Sequence, residues 1–86
     1  MVKIPREHRM TPLNHEPEAV VYARKKAGLS QAAALELLKP IIRSPGHLSE
    51  IESGKRNATD AVLQRMAAIY NCPLVVLERK RFGGAA

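Results

Sequence analysis

Ser44 to Asn57, S-P-G-H-L-S-E-I-E-S-G-K-R-N, holds the residue types and spacing best suited to binding chemistry in this chain. Ser44 is a good helix N-cap, Pro45 suits the first helical position, and Ser53-Gly54 supplies a stop, so the stretch predicts a helix of about two turns. Within it Leu48, Ile51 and Glu52 fall on one face. Gly46, His47, Ser49, Glu50 and Ser53 are left for something outside the helix. A short helix with a sharp start, small outward residues and a basic exit at Lys55, Arg56 and Asn57 is built to approach a surface closely.

Charge indicates which surface. Fourteen Lys and Arg against eight Asp and Glu give a net charge of +6, which favours polyanions and speeds encounter with them. Duplex DNA is the partner this implies. Groups arranged for catalysis are missing: the chain has no paired carboxylates, no Cys/His arrangement, no glycine-rich phosphate loop and no HExxH, and its three histidines are far apart. No metal, cofactor or small-molecule ligand is expected. Cys72 is the single cysteine, which rules out an internal disulfide and a CxxC site, and its place before Pro73 reads as packing. The longest apolar run, Leu74 to Leu77, is far too short to span a membrane, and the proline-containing N-terminus lacks a signal-peptide core. A cytoplasmic, nucleoid-associated protein is the expectation. RNA-binding modules stack bases on aromatic rings, and only Tyr22, Tyr70 and Phe82 exist here.

The elements that must position the binding stretch are all helical. With 86 residues there is room for one domain and one modest core, and with 45% apolar but 3% aromatic residues that core is aliphatic. Residues 1–16, with Lys3, Arg6, Arg9, Pro5 and Pro12, show no helical period and read as an extended basic arm. A first helix begins near Pro17 and runs to Ala27, with Val20, Ala23, Arg24 and Ala27 on one face and Gly28 as the stop. Ser30 caps a second helix through about Leu38, with Leu35 and Leu38 inward, which Pro40 ends. Thr59 and Asp60 open a fourth helix striped by Val62, Met66 and Ile69. Pro73 starts a short fifth, with Leu74 and Leu77 on one side and Val75 and Val76 on others. Residues 17–79 form the predicted domain, and 80–86 a flexible basic tail.

Arg24, the A-G-L-S-Q run at Ala27 to Gln31, H-L-S-E-I-E-S-G-K-R-N at His47 to Asn57, and N-C-P-L at Asn71 to Leu74 together resemble the lambda-repressor and Cro type of helix-turn-helix protein, also called XRE-like regulators. The likeness covers most of the chain, about residues 17 to 79. It implies a compact, all-α, five-helix fold and a sequence-specific transcriptional regulator that binds double-stranded DNA and acts by occupying an operator. By the same likeness, Gln31 binds a phosphate at the start of the second helix, where backbone N–H groups also favour an anion. The helix from Pro45 to Glu52 is the recognition helix, whose first turn enters the major groove. Lys55, Arg56 and Asn57 grip the backbone beyond it. Arg24 and Glu52 match a family ion pair that fixes geometry and reads no base.

The chain departs from the family in two places. Between Gln31 and Ser44 it has roughly three residues more than a pattern whose turn uses about 3 to 4, so either the second helix is one turn longer or Lys39 to Arg43 form a wider loop, the option Pro40 favours. Arg43 also stands where the family places an apolar residue, which hands that core slot to Ile42. In addition, the recognition helix lacks Arg, Lys, Asn and Gln, the side chains best suited to purines. The expected DNA contacts are therefore Gln31, Arg43, Ser44, Pro45, Gly46, His47, Ser49, Lys55, Arg56 and Asn57, helped by the arm. Glu50 would repel phosphate but can accept from cytosine, and it stays outside that set. One short recognition helix reads only a few base pairs, which predicts a homodimer on DNA, with the apolar faces of the fifth helix available for contact. The alternative from another class is an antitoxin or protein-interaction adaptor built on the same domain.

Overall fold

The computed structural model describes residues 12–79. The basic arm up to residue 11 and the tail at 80–86 lie outside the described residues. Five helices follow one another: α1 (Pro17–Lys26), α2 (Gln31–Leu38), α3 (Pro45–Ser53), α4 (Asp60–Tyr70) and α5 (Leu74–Leu77).

Each boundary has a local cause. The Oγ atoms of Ser30 and Ser44 accept from the N–H of Ala33 and His47, each at 3.1 Å, and Thr59 Oγ1 accepts from Val62 N–H at 3.2 Å. These caps satisfy amides that the first turn of a helix leaves without partners. α1 has no side-chain cap and starts on Pro17, where a missing N–H costs nothing. Gly54 (φ +85°) and Asn71 (φ 57°) end α3 and α4 in the left-handed conformation, the one glycine adopts freely and asparagine tolerates.

The extra residues before Ser44 widen the turn. α2 stops at Leu38, and Lys39 takes an extended conformation (φ −66°, ψ 148°), as a residue preceding proline is biased to do. The chain then crosses residues 39–44 before α3 begins. Ile42 is fully buried in this crossing while Arg43 points outward, so the apolar slot is filled one position early.

Among the described residues the apolar core is aliphatic apart from Tyr70. Leu38, Ile42, Leu48, Ile51, Leu63, Met66 and Leu77 are its largest wholly enclosed apolar side chains. α1 packs against α3, α4 and α5, and α2 against α3 and α4. Burying Leu48 and Ile51 between α1 and α2 fixes the rotation of α3 about its axis, and with it which residues face out. Two expected faces differ. Ala27 is exposed, because Gly28 (φ +80°) turns the chain away just there. Ile69 is only partly buried, and Leu63 and Tyr70 complete the α4 stripe instead.

Residues 14–16 are extended but bound to the domain. His15 pairs with Glu78 as one antiparallel bridge, flanked by Glu16 N–H to Leu77 O and Arg79 N–H to Asn14 O, both 3.0 Å. His15 is fully buried with Nε2 at 2.8 Å from the Ile51 carbonyl of α3, a bond in which Nε2 must donate. The last part of the stretch read as an extended basic arm thus fastens the end of α3 to the end of α5.

Candidate nucleic-acid interface

α3 buries Leu48, Ile51 and Glu52 and leaves Gly46 and Ser49 exposed, with His47 and Glu50 half-buried beside them. A Cβ added at Gly46 would meet no atom within 4 Å. Its small size is therefore not demanded by packing inside the protein. Ser44 and Pro45 are exposed at the start of α3, and Arg43 precedes them with its Nε 3.4 Å from the Pro40 carbonyl.

A buried ion pair sets how α1 and α3 meet. Arg24 Nε donates to Glu52 Oε2 at 2.7 Å and Nη2 to Oε1 at 3.1 Å, with Nη1 held by the Leu29 carbonyl at 2.9 Å. The carboxylate beside it raises the affinity of the guanidinium for its proton, against an opposing effect of burial. Gln31 joins the pair: its Nε2 donates to Glu52 Oε1 at 2.8 Å. That bond uses one amide hydrogen and leaves the second, with the first backbone N–H groups of α2, at the exposed surface. The sequence pointed Gln31 to phosphate and Glu52 to Arg24 but did not connect the two. Residues 21 apart in sequence carry no local signal of contact.

The basic exit of α3 is less free than its sequence suggests. Lys55 is exposed and has no salt bridge among the described residues. Arg56 folds back on α3 and donates to Glu50 Oε1 through both Nη2 (2.7 Å) and Nε (2.8 Å). Asn57 uses its Oδ1 to accept from the Asn14 backbone N–H at 2.7 Å, while the Asn14 amide donates to the Ala58 carbonyl at 2.8 Å. Asn57 thus ties the loop to the N-terminal segment. His47 loses its proton more readily than an ordinary histidine, first because it is partly buried and second because Arg56 is close, with Glu50 opposing both.

The structure brings Gln31, Ser44, Gly46, His47, Ser49, Glu50, Lys55 and Arg56 onto α3, the loop after it and the start of α2. Among the described residues no group of three or more His, Cys, Asp or Glu side chains gathers as a metal site would need, and no helix is long and apolar enough to cross a membrane.

Comparisons with known proteins agree with this architecture. The sequence model of the helix-turn-helix family matches residues 21–77, well over half of the chain, from within α1 to the end of α5. No match arises among curated proteins or among solved structures. The capped α2, the wide turn and the α3 helix with one face buried and one face clear are therefore the parts of a DNA-binding domain, and the chain belongs to the helix-turn-helix family of the lambda-repressor, or XRE, type.

Proposed function

We propose that this protein is a sequence-specific transcriptional regulator that occupies an operator in double-stranded DNA, working in the cytoplasm at the nucleoid. The first turn of α3 enters the major groove with Ser44, Pro45, Gly46, His47 and Ser49 against base edges. Gln31 and the α2 N-terminus hold a phosphate on one side of the groove, while Arg43, Lys55, Arg56 and the free amide hydrogens of Asn57 hold the backbone elsewhere. Two protomers bind an inverted repeat, in keeping with the exposure of Val75 and Val76 beside the buried Leu77.

The observation that carries this reading is the open space around Gly46 on an otherwise tightly seated helix. A glycine on the outward face of a helix, where the protein's own packing leaves room, lets another molecule approach closely, and the surrounding charge favours DNA. The test is Gly46→Leu. It adds a side chain that meets nothing in the free protein, so thermal stability should be unchanged or slightly raised, since glycine within a helix costs about 0.5 to 1 kcal/mol against a residue with a side chain. Binding to duplex DNA should be lost. The unmodified protein should bind with a log–log salt slope of about 4 to 6 per protomer, from roughly 5 to 7 phosphate contacts. Wild-type affinity in Gly46→Leu would remove α3 from the interface, and salt-independent binding would remove the phosphates. Protection of a single half-site by one protomer would refute the symmetric dimer.

A further inference from the structure

Glu50 is an anomaly at this surface. It lies one helical turn beyond His47 on the outward side of α3, where a carboxylate approaching DNA meets phosphate repulsion. It is also the acceptor for much of the loop that follows. Its backbone carbonyl receives the N–H of Lys55 at 2.9 Å and of Arg56 at 3.2 Å, and its side chain holds the Arg56 guanidinium at 2.7 and 2.8 Å. Both side chains remain about half exposed, so the pair can open without unfolding anything.

DNA confronts this pair with a choice. While Arg56 stays on Glu50 it contributes no phosphate contact. Once Arg56 moves to a phosphate, Glu50 is left unpaired in a groove of negative potential, unless a base supplies a hydrogen-bond donor. In the major groove cytosine offers its N4 amino group with no acceptor on the same base beside it. Adenine also has an amino group, but its N7 acceptor stands next to it and repels a carboxylate, while guanine and thymine present acceptors there.

Resting on the reading of α3 as the helix that enters the groove, we propose that Glu50 determines specificity by exchanging Arg56 for a cytosine amino group, so that Arg56 is released to the backbone only over a C·G pair. On other sequences the arginine stays latched or the carboxylate stays unpaired, and either outcome weakens binding. The exposed face of α3 has no Arg, Lys, Asn or Gln to read a base in another way, which leaves Glu50 and His47 as its strongest hydrogen-bonding groups.

Selection from a pool of randomised duplexes with the wild type, Glu50→Gln and Glu50→Ala tests this, together with salt titrations on a random-sequence duplex. Both variants keep the backbone acceptor at residue 50 and change only an exposed side chain, and thermal melts verify that they fold. The wild type should select a C·G pair at one position in each half-site. Glu50→Gln should replace it with A·T, since glutamine pairs bidentately with adenine, and Glu50→Ala should relax that position alone. Both variants should bind random DNA several-fold more tightly, with a salt slope steeper by about 0.9 for the one contact Arg56 gains. Identical base preferences in all three proteins, or an unchanged slope, would overturn the exchange while leaving the DNA-binding reading intact. Failure of the wild type to enrich any sequence would instead overturn that reading.

Discussion

Truncating Arg24 to alanine removes three hydrogen bonds at once, two to the Glu52 carboxylate and one to the Leu29 carbonyl. The two charged side chains are 9% and 5% exposed, so water reaches neither well enough to replace what is lost. Removing one partner of a buried pair costs about 3 to 5 kcal/mol, because the other charge stays enclosed and uncompensated. The lower end applies here, since Gln31 still donates to Glu52. For a domain of this size each kcal/mol moves the melting temperature by roughly 4 to 8 °C, which places the drop for Arg24→Ala at about 12 to 24 °C. Thermal unfolding followed by circular dichroism reads it directly. The double variant Arg24→Ala, Glu52→Gln should recover more than half of the loss. No charge is then buried, and the amide oxygen introduced at position 52 can still accept from Gln31. What remains is mainly the Leu29 carbonyl without its donor, worth about 1 kcal/mol. An unchanged melting temperature in the single variant, or a double variant no better than the single, would refute the reasoning.

Two further outcomes follow from the electrostatics. Burial pushes the Tyr70 hydroxyl up to about 12 from its ordinary 10.0. The folded state therefore holds this proton more tightly than the unfolded chain, and the associated stability is full below about pH 10 and falls as pH rises towards 12, by up to about 2 to 3 kcal/mol. The hydroxyl has no hydrogen-bond partner among the described residues, so Tyr70→Phe should be near neutral at about pH 7 and should flatten the alkaline limb in denaturant titrations from about pH 9 to 11.5; a limb as steep as the wild type's would show that Tyr70 does not govern it. His47 should titrate below 6.5 in NMR spectra, and Arg56→Ala should raise its midpoint, because the Arg56 charge disfavours the protonated imidazole and Glu50, which favours it, stays in place; a midpoint that falls in the variant would contradict the assignment of those neighbours.

The local elements were legible because their signals are local. Ser30, Ser44 and Thr59 act within three residues of themselves, and Gly28 and Gly54 end helices through their own backbone conformation. The 3.6-residue period of Leu48, Ile51 and Glu52 gave the buried face of α3 for the same reason, and with it the face left free. Ala27 and Ile69 depart from their expected faces because a face at a helix end depends on where the chain turns and on which neighbour arrives to cover it.

Sequence by itself determined that the chain is a set of short capped helices with an aliphatic core, and which of its residues stand outward on α3. Only the tertiary structure decided that the extra residues widen the turn, because lengthening α2 and looping at Lys39 to Arg43 satisfy the same composition and differ in what packs around Ile42. The Arg24–Glu52 pair apart, it alone decided the distant partners of the polar groups as well. Gln31 reaches Glu52, Arg56 returns to Glu50, His15 seals the end of α3, and Asn57 receives Asn14. A side-chain hydrogen bond acts over about 3 Å and depends on direction, so most of these pairings exist only once helices far apart in sequence have been packed side by side.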